Sequence, residues 1–326
     1  MEQGAFEVLI LVKLIIMRII IIGPTLLTRH CLEFIIRDGR DKVEAVYTLD
    51  NTFALTKSRF AIMDDITKEN GINLYKVSNI NDISVVNQIK DFQPDVIFEL
   101  GWSQIISPQI LQIPKKGCIG VHASLLPKNR GAASLNWALI KGEKKTGVTL
   151  FYLAEKPDDG DMIAQKEFDI DERDDIETLH AKSDIASAEL LMENMDAIRN
   201  DIVKRIRQDP DRVTYTPRRK PGDGVVDWSK SSLELYNWIR AQTHPFPGAF
   251  TLWKNKKLYI WKAKISDYKS DSKPGEISTI KNNEGIFVNT YGNMLLLERI
   301  QLDGGVEMWA DDLAKKYNLQ NGDTLG

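Results

Sequence analysis

Cysteine is nearly absent: Cys31 and Cys118 are the only two in 326 residues. Two thiols in apolar surroundings make neither a disulfide framework nor a zinc-ligand spacing, and small buried side chains account for both. Such sparing use suits a reducing compartment, so a cytoplasmic location is the expectation. An excess of charge of one sign is lacking too. The chain holds 43 Lys and Arg against 46 Asp and Glu, a net charge of −3, so a protein working mainly by gripping phosphate backbone is not the default reading. A membrane-spanning run is missing as well. Residues 8–22 (VLILVKLIIMRIIII) are shorter than a span and broken by Lys13 and Arg18, and they lack the basic start and cleavage site of a secretory signal. The stretch from Met17 to Gly23 reads as the opening of a first buried strand, which makes residues 1–16 an upstream extension, with a peripheral anchor as the alternative. There is no internal repeat and no low-complexity tract.

What is present, at 43% hydrophobic and 27% charged, fits a globular chain of two domains. Residues 19–22, 43–48, 74–77 and 96–100 read as buried strands rich in branched side chains. Residues 26–36 and 83–92 carry apolar positions at helical spacing; Asn81 and Asp82 offer cap chemistry to the second, and Pro94 ends it. This alternation predicts a mostly parallel sheet covered by helices, with ligands at the carboxyl ends of the strands. Strands at 118–121 and 148–153 flank a helix near 133–141, and a long helical stretch over 176–206 closes a first domain of residues 1–206. Residues 207–221, rich in Pro, Gly, Arg and Asp, read as a linker. Short strands such as 258–262 and 285–289 then predict a small β-rich domain over 222–326.

Residues 117–161 carry the chemistry. His122 follows a strand and precedes a tight loop fixed by Pro127 and Gly131, and Asp158 lies in a loop just past another strand. Adjacent strands can bring such an imidazole and carboxylate together for acid–base work near neutral pH. Taken alone, a His after a strand is more often a structural hydrogen-bonder, and an Asp-Asp-Gly is more often a turn. Other chemistries fare worse. Ser124 has no nucleophile elbow around it. His122, Asp158 and Cys118 make no metal pattern. Gly23-Pro24-Thr25 is neither a dinucleotide nor a P-loop fingerprint. His30, His180 and His244 take structural or surface roles.

The loop His122-Ala-Ser-Leu-Leu-Pro-Lys-Asn-Arg130-Gly131, then Thr146-Gly147-Val148-Thr149 and Asp158-Asp159-Gly160-Asp161, resembles the 10-formyltetrahydrofolate-dependent formyltransferases. That family includes methionyl-tRNA formyltransferase and enzymes that formylate nucleotide-linked amino sugars. The resemblance runs from Met17 onward and reaches the second domain through Arg218-Arg219-Lys220-Pro221, Asp227-Trp228 and residues 245–250. It implies a Rossmann-like α/β catalytic domain followed by an OB-like β domain. It also implies a one-carbon transferase using 10-formyltetrahydrofolate as formyl donor and no metal. In the family an Asn, a His and an Asp form the catalytic set; His122 and Asp158 match two of them. By that resemblance His122 shuttles the proton of the attacking amine, and Asp158 orients the ring and raises its basicity. The folate slot would comprise Ile105, Ile106, Ser124, Leu125, Leu126, Pro127, Ala154, Glu155, Lys156, Pro157 and Asp158, with Trp102 packed either beside it or in the core.

Gly120 stands where the family has its Asn. One lost oxyanion donor costs about 2.7–4 kcal/mol of transition-state stabilisation. The donor would then be protonated His122, a backbone N–H or water, or a residue such as Asn129 or Asn136; otherwise the chain binds without turnover. Retained activity is the favoured reading, since His122, Asp158 and the loop are intact. For the acceptor, residues 51–69 are short and not strongly basic, unlike the tRNA-binding insertion of methionyl-tRNA formyltransferases. Leu135-Asn136-Trp137, Arg218–Pro221 and the Pro-Gly-Ala-Phe turn are closest in pattern to transferases acting on UDP-4-amino-4-deoxy-L-arabinose. The expected acceptor is therefore a nucleotide-linked amino sugar, with methionyl-tRNA as the alternative. Arg130, Asn136, Arg218 and Arg219 are the candidate acceptor-binding residues, with a solvated charge run as the plain reading of Arg218–Lys220.

Overall fold

The structure, a computed structural model, describes residues 15–55 and 57–326. The proposed extension thus falls almost wholly outside the described residues; only its last two, Ile15 and Ile16, are described, and both are exposed.

The first domain is built on a seven-stranded sheet. In chain order its strands and helices are β1 (Arg18–Ile22), α1 (Leu26–Asp38), β2 (Lys42–Thr48), α2 (Asp64–Glu69), β3 (Asn73–Lys76), α3 (Ile83–Asp91), β4 (Val96–Glu99), α4 (Pro108–Leu111), β5 (Cys118–His122), β6 (Arg130–Gly131), α5 (Ser134–Ile140), β7 (Lys145–Tyr152), β8 (Met162–Asp169) and α6 (Ile176–Arg199). The sheet order is β3-β2-β1-β4-β5-β7-β8, with β6 outside it. The first five strands run parallel, and β7 and β8 join antiparallel.

All four isoleucines of β1 are fully buried, as a central parallel strand covered on both faces requires. Alternation sends Ile19 and Ile21 into a core shared with Leu32 and Ile35 of α1 and with Leu191 and Met195 of α6. Ile20 and Ile22 face Val86 and Ile89 of α3 and Ile110 of α4. Burying side chains of this kind stabilises by about 1.5–3 kcal/mol each. The chain winds one way from β1 to β3 and the other way from β4, so the crevice at the carboxyl ends of β1 and β4 is a topological switch point.

The long helix expected over 176–206 ends at Arg199. The Asn200 side chain bonds back to the Asp196 carbonyl, and Asp201 turns the chain at φ +59°. Ile206, whose apolar character extended the helical pattern in the sequence, instead pairs with Met162. At the end of α6, Arg199 is held by buried Asp41, which also accepts the Met17 amide at 2.9 Å.

Beyond α6 come β9 (Tyr215–Thr216), α7 (Ser232–Arg240), β10 (Ala249–Trp253), β11 (Lys256–Lys269), β12 (Ile277–Lys281), β13 (Gly285–Val288), β14 (Asn293–Leu302), β15 (Met308–Trp309) and α8 (Ala310–Tyr317). The second sheet runs β10-β11-β14-β13-β12, with β15 paired to β14, and is antiparallel throughout. Strands 258–262 and 285–289 of the sequence reading are part of the first half of the 14-residue β11 and the whole of β13 with one residue beyond it. α7 starts on a reciprocal Ser231–Glu234 capping box and packs Leu235 and Ile239 into this core, beside Leu313 and Ala314 of α8.

The segment read as a linker is fastened to the catalytic domain. β9 pairs in parallel with β6, and Gln208 is buried. Among the described residues no helix is long and apolar enough to cross a membrane.

Candidate active site

His122 is the last residue of β5, opposite Thr149 of β7. Strand alternation therefore places His122 and Gly120 on the same face of the sheet. The loop after His122 is held from below. Thr149 donates its hydroxyl to the Ser124 carbonyl at 2.7 Å and accepts the Leu126 amide at 3.0 Å, while Gln165 donates to the Leu126 carbonyl at 2.8 Å. Ser124 donates its own hydroxyl to the Lys128 carbonyl at 2.7 Å. This framework delivers the Asn129 carbonyl to within 2.8 Å of His122 Nε2. A carbonyl only accepts, so Nε2 carries the hydrogen and Nδ1 is the nitrogen left to receive a proton. Nδ1 lies 3.6 Å from Asp158 Oδ1, too long for a strong hydrogen bond but close enough to stabilise an imidazolium.

Asp158 is held just as firmly. Its backbone is left-handed at φ +54°, its Oδ2 accepts the Gly131 amide at 2.7 Å, and its carbonyl accepts from Gln208 Nε2 at 2.8 Å. Gln208 gives its second N–H to the Gly160 carbonyl at 2.8 Å, and its oxygen accepts twice from Arg130, at 3.1 and 2.8 Å. Arg130 in turn donates to Asp159 at 2.5 Å. Every hydrogen-bonding position of the Gln208 amide is filled, which makes the group rigid. Gly160 is obligatory here, because a Cβ would stand 1.7 Å from the Tyr152 carbonyl oxygen.

Two cavities flank the pair. One, of about 570 Å³, is lined by Glu99, Trp102, Ile106, Leu153, Ala154 and Asp158. Ile105, Lys156 and Pro157 also line it, whereas Glu155 does not. Ser124, Leu125, Leu126 and Pro127 are absent from that wall as well. Ser124, Leu126 and Pro127 are buried, and Leu125 packs on Gly147. Hydrogen bonds to Thr149 on β7 and Gln165 on β8 fix the course of this loop. The second cavity, about 600 Å³, is bordered by Val121 and Ala123 on either side of His122 and carries Lys57, Arg59, Arg218, Arg219 and Lys220. A larger cleft of about 1130 Å³, between α5–α7 and β11, has none of these groups.

The four candidate acceptor residues divide. Arg218 is exposed and lines both cavities. Arg219 reaches the second cavity but is engaged structurally: its guanidinium lies over the Trp137 and Trp238 rings and donates to Gln242 at 2.7 Å. Arg130 is locked in the Gln208 network. Asn136 borders the second cavity, yet its amide donates to the Ala241 carbonyl at 2.7 Å. Asn129 turns its side-chain oxygen to Lys141 at 2.9 Å. Trp102 is buried on the first cavity's wall, its ring N–H donating to Gln104 at 3.2 Å. Of the other histidines, His244 stacks on Trp261 and bonds Glu307 at 2.9 Å. His180 is half-buried, stacked beside Phe246, and desolvation pulls its pKa down to about 3. His30 lies 4.0 Å from Asp184.

Residues 17–195 match the model of the formyl transferase domain, and residues 218–318 match that of the formyl transferase C-terminal domain. The chain belongs to the formyl transferase family. A methionyl-tRNA formyltransferase of Clostridioides difficile is 35% identical to this formyl transferase over 95% of the chain and 100% of its own length. The Bacillus subtilis methionyl-tRNA formyltransferase is 34% identical over 95% of this chain and 98% of its own. Among solved structures, an N-formyltransferase of Helicobacter canadensis in complex with folinic acid and dTDP-3-aminofucose shares the fold. It aligns at a TM-score of 0.64 and 19% identity, covering 86% of this chain and 99% of that one.

The amino-sugar acceptor expected from the sequence is overturned by these full-length relatives, which are methionyl-tRNA formyltransferases. The physical reason is that charge was counted along a single loop. In space, Lys57 and Arg59 of that loop meet Arg218 and Lys220 of the linker on one cavity wall. Sequence reading also passed over Glu99 and Gln208. Glu99 had a visible signal, an acidic residue ending the otherwise apolar strand Val-Ile-Phe-Glu. Gln208, in a polar linker, had none.

Proposed function

We propose that this formyl transferase moves a formyl group from 10-formyltetrahydrofolate to the amine of methionyl-tRNA. The observation that carries the acceptor is the likeness, over nearly the full length of both chains, to methionyl-tRNA formyltransferases at 34–35% identity. The cation-lined cavity supports it, since an RNA acceptor arrives as a row of phosphates. The 570 Å³ cavity that Asp158 lines has a size, and a mix of apolar side chains with a few polar groups, that suit the folate ring system.

The roles follow from the geometry. Asp158, fixed by the Gly131 amide and by Gln208, faces Nδ1 of His122. His122 accepts the proton of the attacking amine at Nδ1, keeps its Nε2–H on the Asn129 carbonyl, and returns the proton to the departing nitrogen. Ile106, Trp102 and Ala154 hold the formyl donor, and Lys57, Arg218 and Lys220 meet the acceptor's phosphates. Incubating the full chain with 10-formyltetrahydrofolate and charged initiator tRNA tests the proposal, with formylmethionyl-tRNA as the expected product. Turnover on nucleotide-linked amino sugars but not on the tRNA would overturn it.

A further inference from the structure

The proposed reaction, on which the following rests, needs a hydrogen-bond donor for the oxygen that gains negative charge when the amine attacks. Gly120 has no side chain to give one. Of the two asparagines considered from the sequence, Asn136 donates its amide to the Ala241 carbonyl, and Asn129, whose side-chain oxygen accepts from Lys141, lines neither cavity. Glu99 is different. It ends β4 and is the parallel register partner of Gly120 on β5, so both lie on the sheet face that carries His122. Its Oε2 stands 3.3 Å from where a Cβ on Gly120 would be, so the carboxyl, together with the Leu153 side chain at 2.8 Å, borders the space that the missing side chain leaves. Oε1 accepts the Trp102 amide at 2.5 Å, which fixes that oxygen as an acceptor and directs the acidic hydrogen to Oε2. The group lines the same cavity wall as Asp158.

We propose that Glu99 is a further catalytic residue, a neutral carboxylic acid whose Oε2–H donates to the formyl oxygen in the transition state. The new bond joins the acceptor nitrogen to the formyl carbon, and the bond that breaks joins that carbon to the folate nitrogen. The amine proton passes to His122 and on to the departing nitrogen, while Glu99 keeps its own proton throughout. An ionised Glu99 would repel the developing oxyanion, so the role requires the neutral form. The surroundings supply that condition. Desolvation raises the Glu99 pKa to about 7, and Asp158 across the cavity pushes the same way; the Trp102 and Gly101 amides and Lys57 oppose them. Cys118 on β5, and Lys156 and Arg218 on the cavity wall, are further titratable groups around it. Buried carboxylic acids kept neutral to serve as hydrogen-bond donors are established chemistry in other enzymes.

The experiment measures kcat against pH for the full chain and for Glu99→Gln, Glu99→Ala and Glu99→Ala/Gly120→Asn, with 10-formyltetrahydrofolate and methionyl-tRNA. In the unsubstituted protein kcat should fall as pH rises through about 7, the pKa that desolvation gives Glu99. Glu99→Gln keeps an N–H donor at every pH, so it should lose that falling limb while staying within about tenfold of the original rate. Glu99→Ala should lose about 10²–10³ in kcat with little change in folate KM. Adding Gly120→Asn, which the shortened Glu99 side chain and a shift of the Leu153 side-chain end accommodate, should restore at least tenfold of that loss. Wild-type-like kcat and pH profile in Glu99→Ala would overturn the proposal. Absence of turnover in the unsubstituted chain would instead count against the acceptor reading. Glu99 is then judged by infrared difference spectroscopy at pH 6. A protonated-carboxyl band missing in Glu99→Gln supports the proposal, and no such band contradicts it.

Discussion

The two cavities beside His122 differ in charge more than in size. The cavity proposed for the folate is walled by Trp102, Ile106, Leu153 and Ala154 around two carboxyl groups, Glu99 and Asp158, with cations only at Lys156 and Arg218. The cavity proposed for the acceptor gathers Lys57, Arg59, Arg218, Arg219 and Lys220, against the single carboxylate Asp184, which is paired to Arg59. They meet at Ala132 and Arg218, which line both, and of the His122–Asp158 pair only Asp158 lines either cavity. A site can thus offer one half that carries carboxyl groups and another that carries cations while the chain as a whole has a net charge of −3.

Substitutions should separate the halves. The largest effect belongs to the shared centre: His122→Asn should lower kcat by about 10²–10⁴ and leave both KM values within a few-fold. Loss of binding with kcat intact would move His122 out of the chemistry. On the folate side, Ala154→Trp overfills the cavity and should raise the KM for 10-formyltetrahydrofolate by about tenfold or more while sparing the tRNA KM. Equal effects on both substrates would mean that the two cavities act as one. Arg130→Met removes the guanidinium that saturates Gln208, loosening the Asp158 loop. Its expected cost is about tenfold in kcat, visible as a change in the pH–rate profile rather than in either KM. The smallest effect is expected at the cationic wall. Lys57→Ala should raise the tRNA KM about three- to tenfold and reduce its salt dependence by roughly one contact, without altering the folate KM.

The first domain was largely legible because its strands are unbroken apolar runs between capped helices, and the elements from 19–22 to 96–100 fall within a residue or two of the sequence reading. The second domain was less so. β11 alternates charged and apolar residues over 14 positions, and only part of its first half reads as a strand without its partners. α7 and α8 are short helices whose apolar faces are defined by the β-sheet they cover. At the site, His122 and Asp158 stood out through their loops. The Ser124–Pro127 loop stood out only through its resemblance to a family motif; the hydrogen bonds that fix it come from Thr149 and Gln165, which lie 25 and 39 residues further along the chain. Glu99 and Gln208 act across strand and loop pairings 21 and 50 residues apart, to Gly120 and Asp158, and no local spacing reveals such pairs.

The most direct test is a competition: the full chain, one limiting pool of 10-formyltetrahydrofolate, and both charged initiator tRNA and a nucleotide-linked amino sugar present together. The expected result is formyl label on methionyl-tRNA, abolished by His122→Asn, with none on the sugar. Label confined to the sugar, or label on the tRNA that survives His122→Asn, would contradict the account.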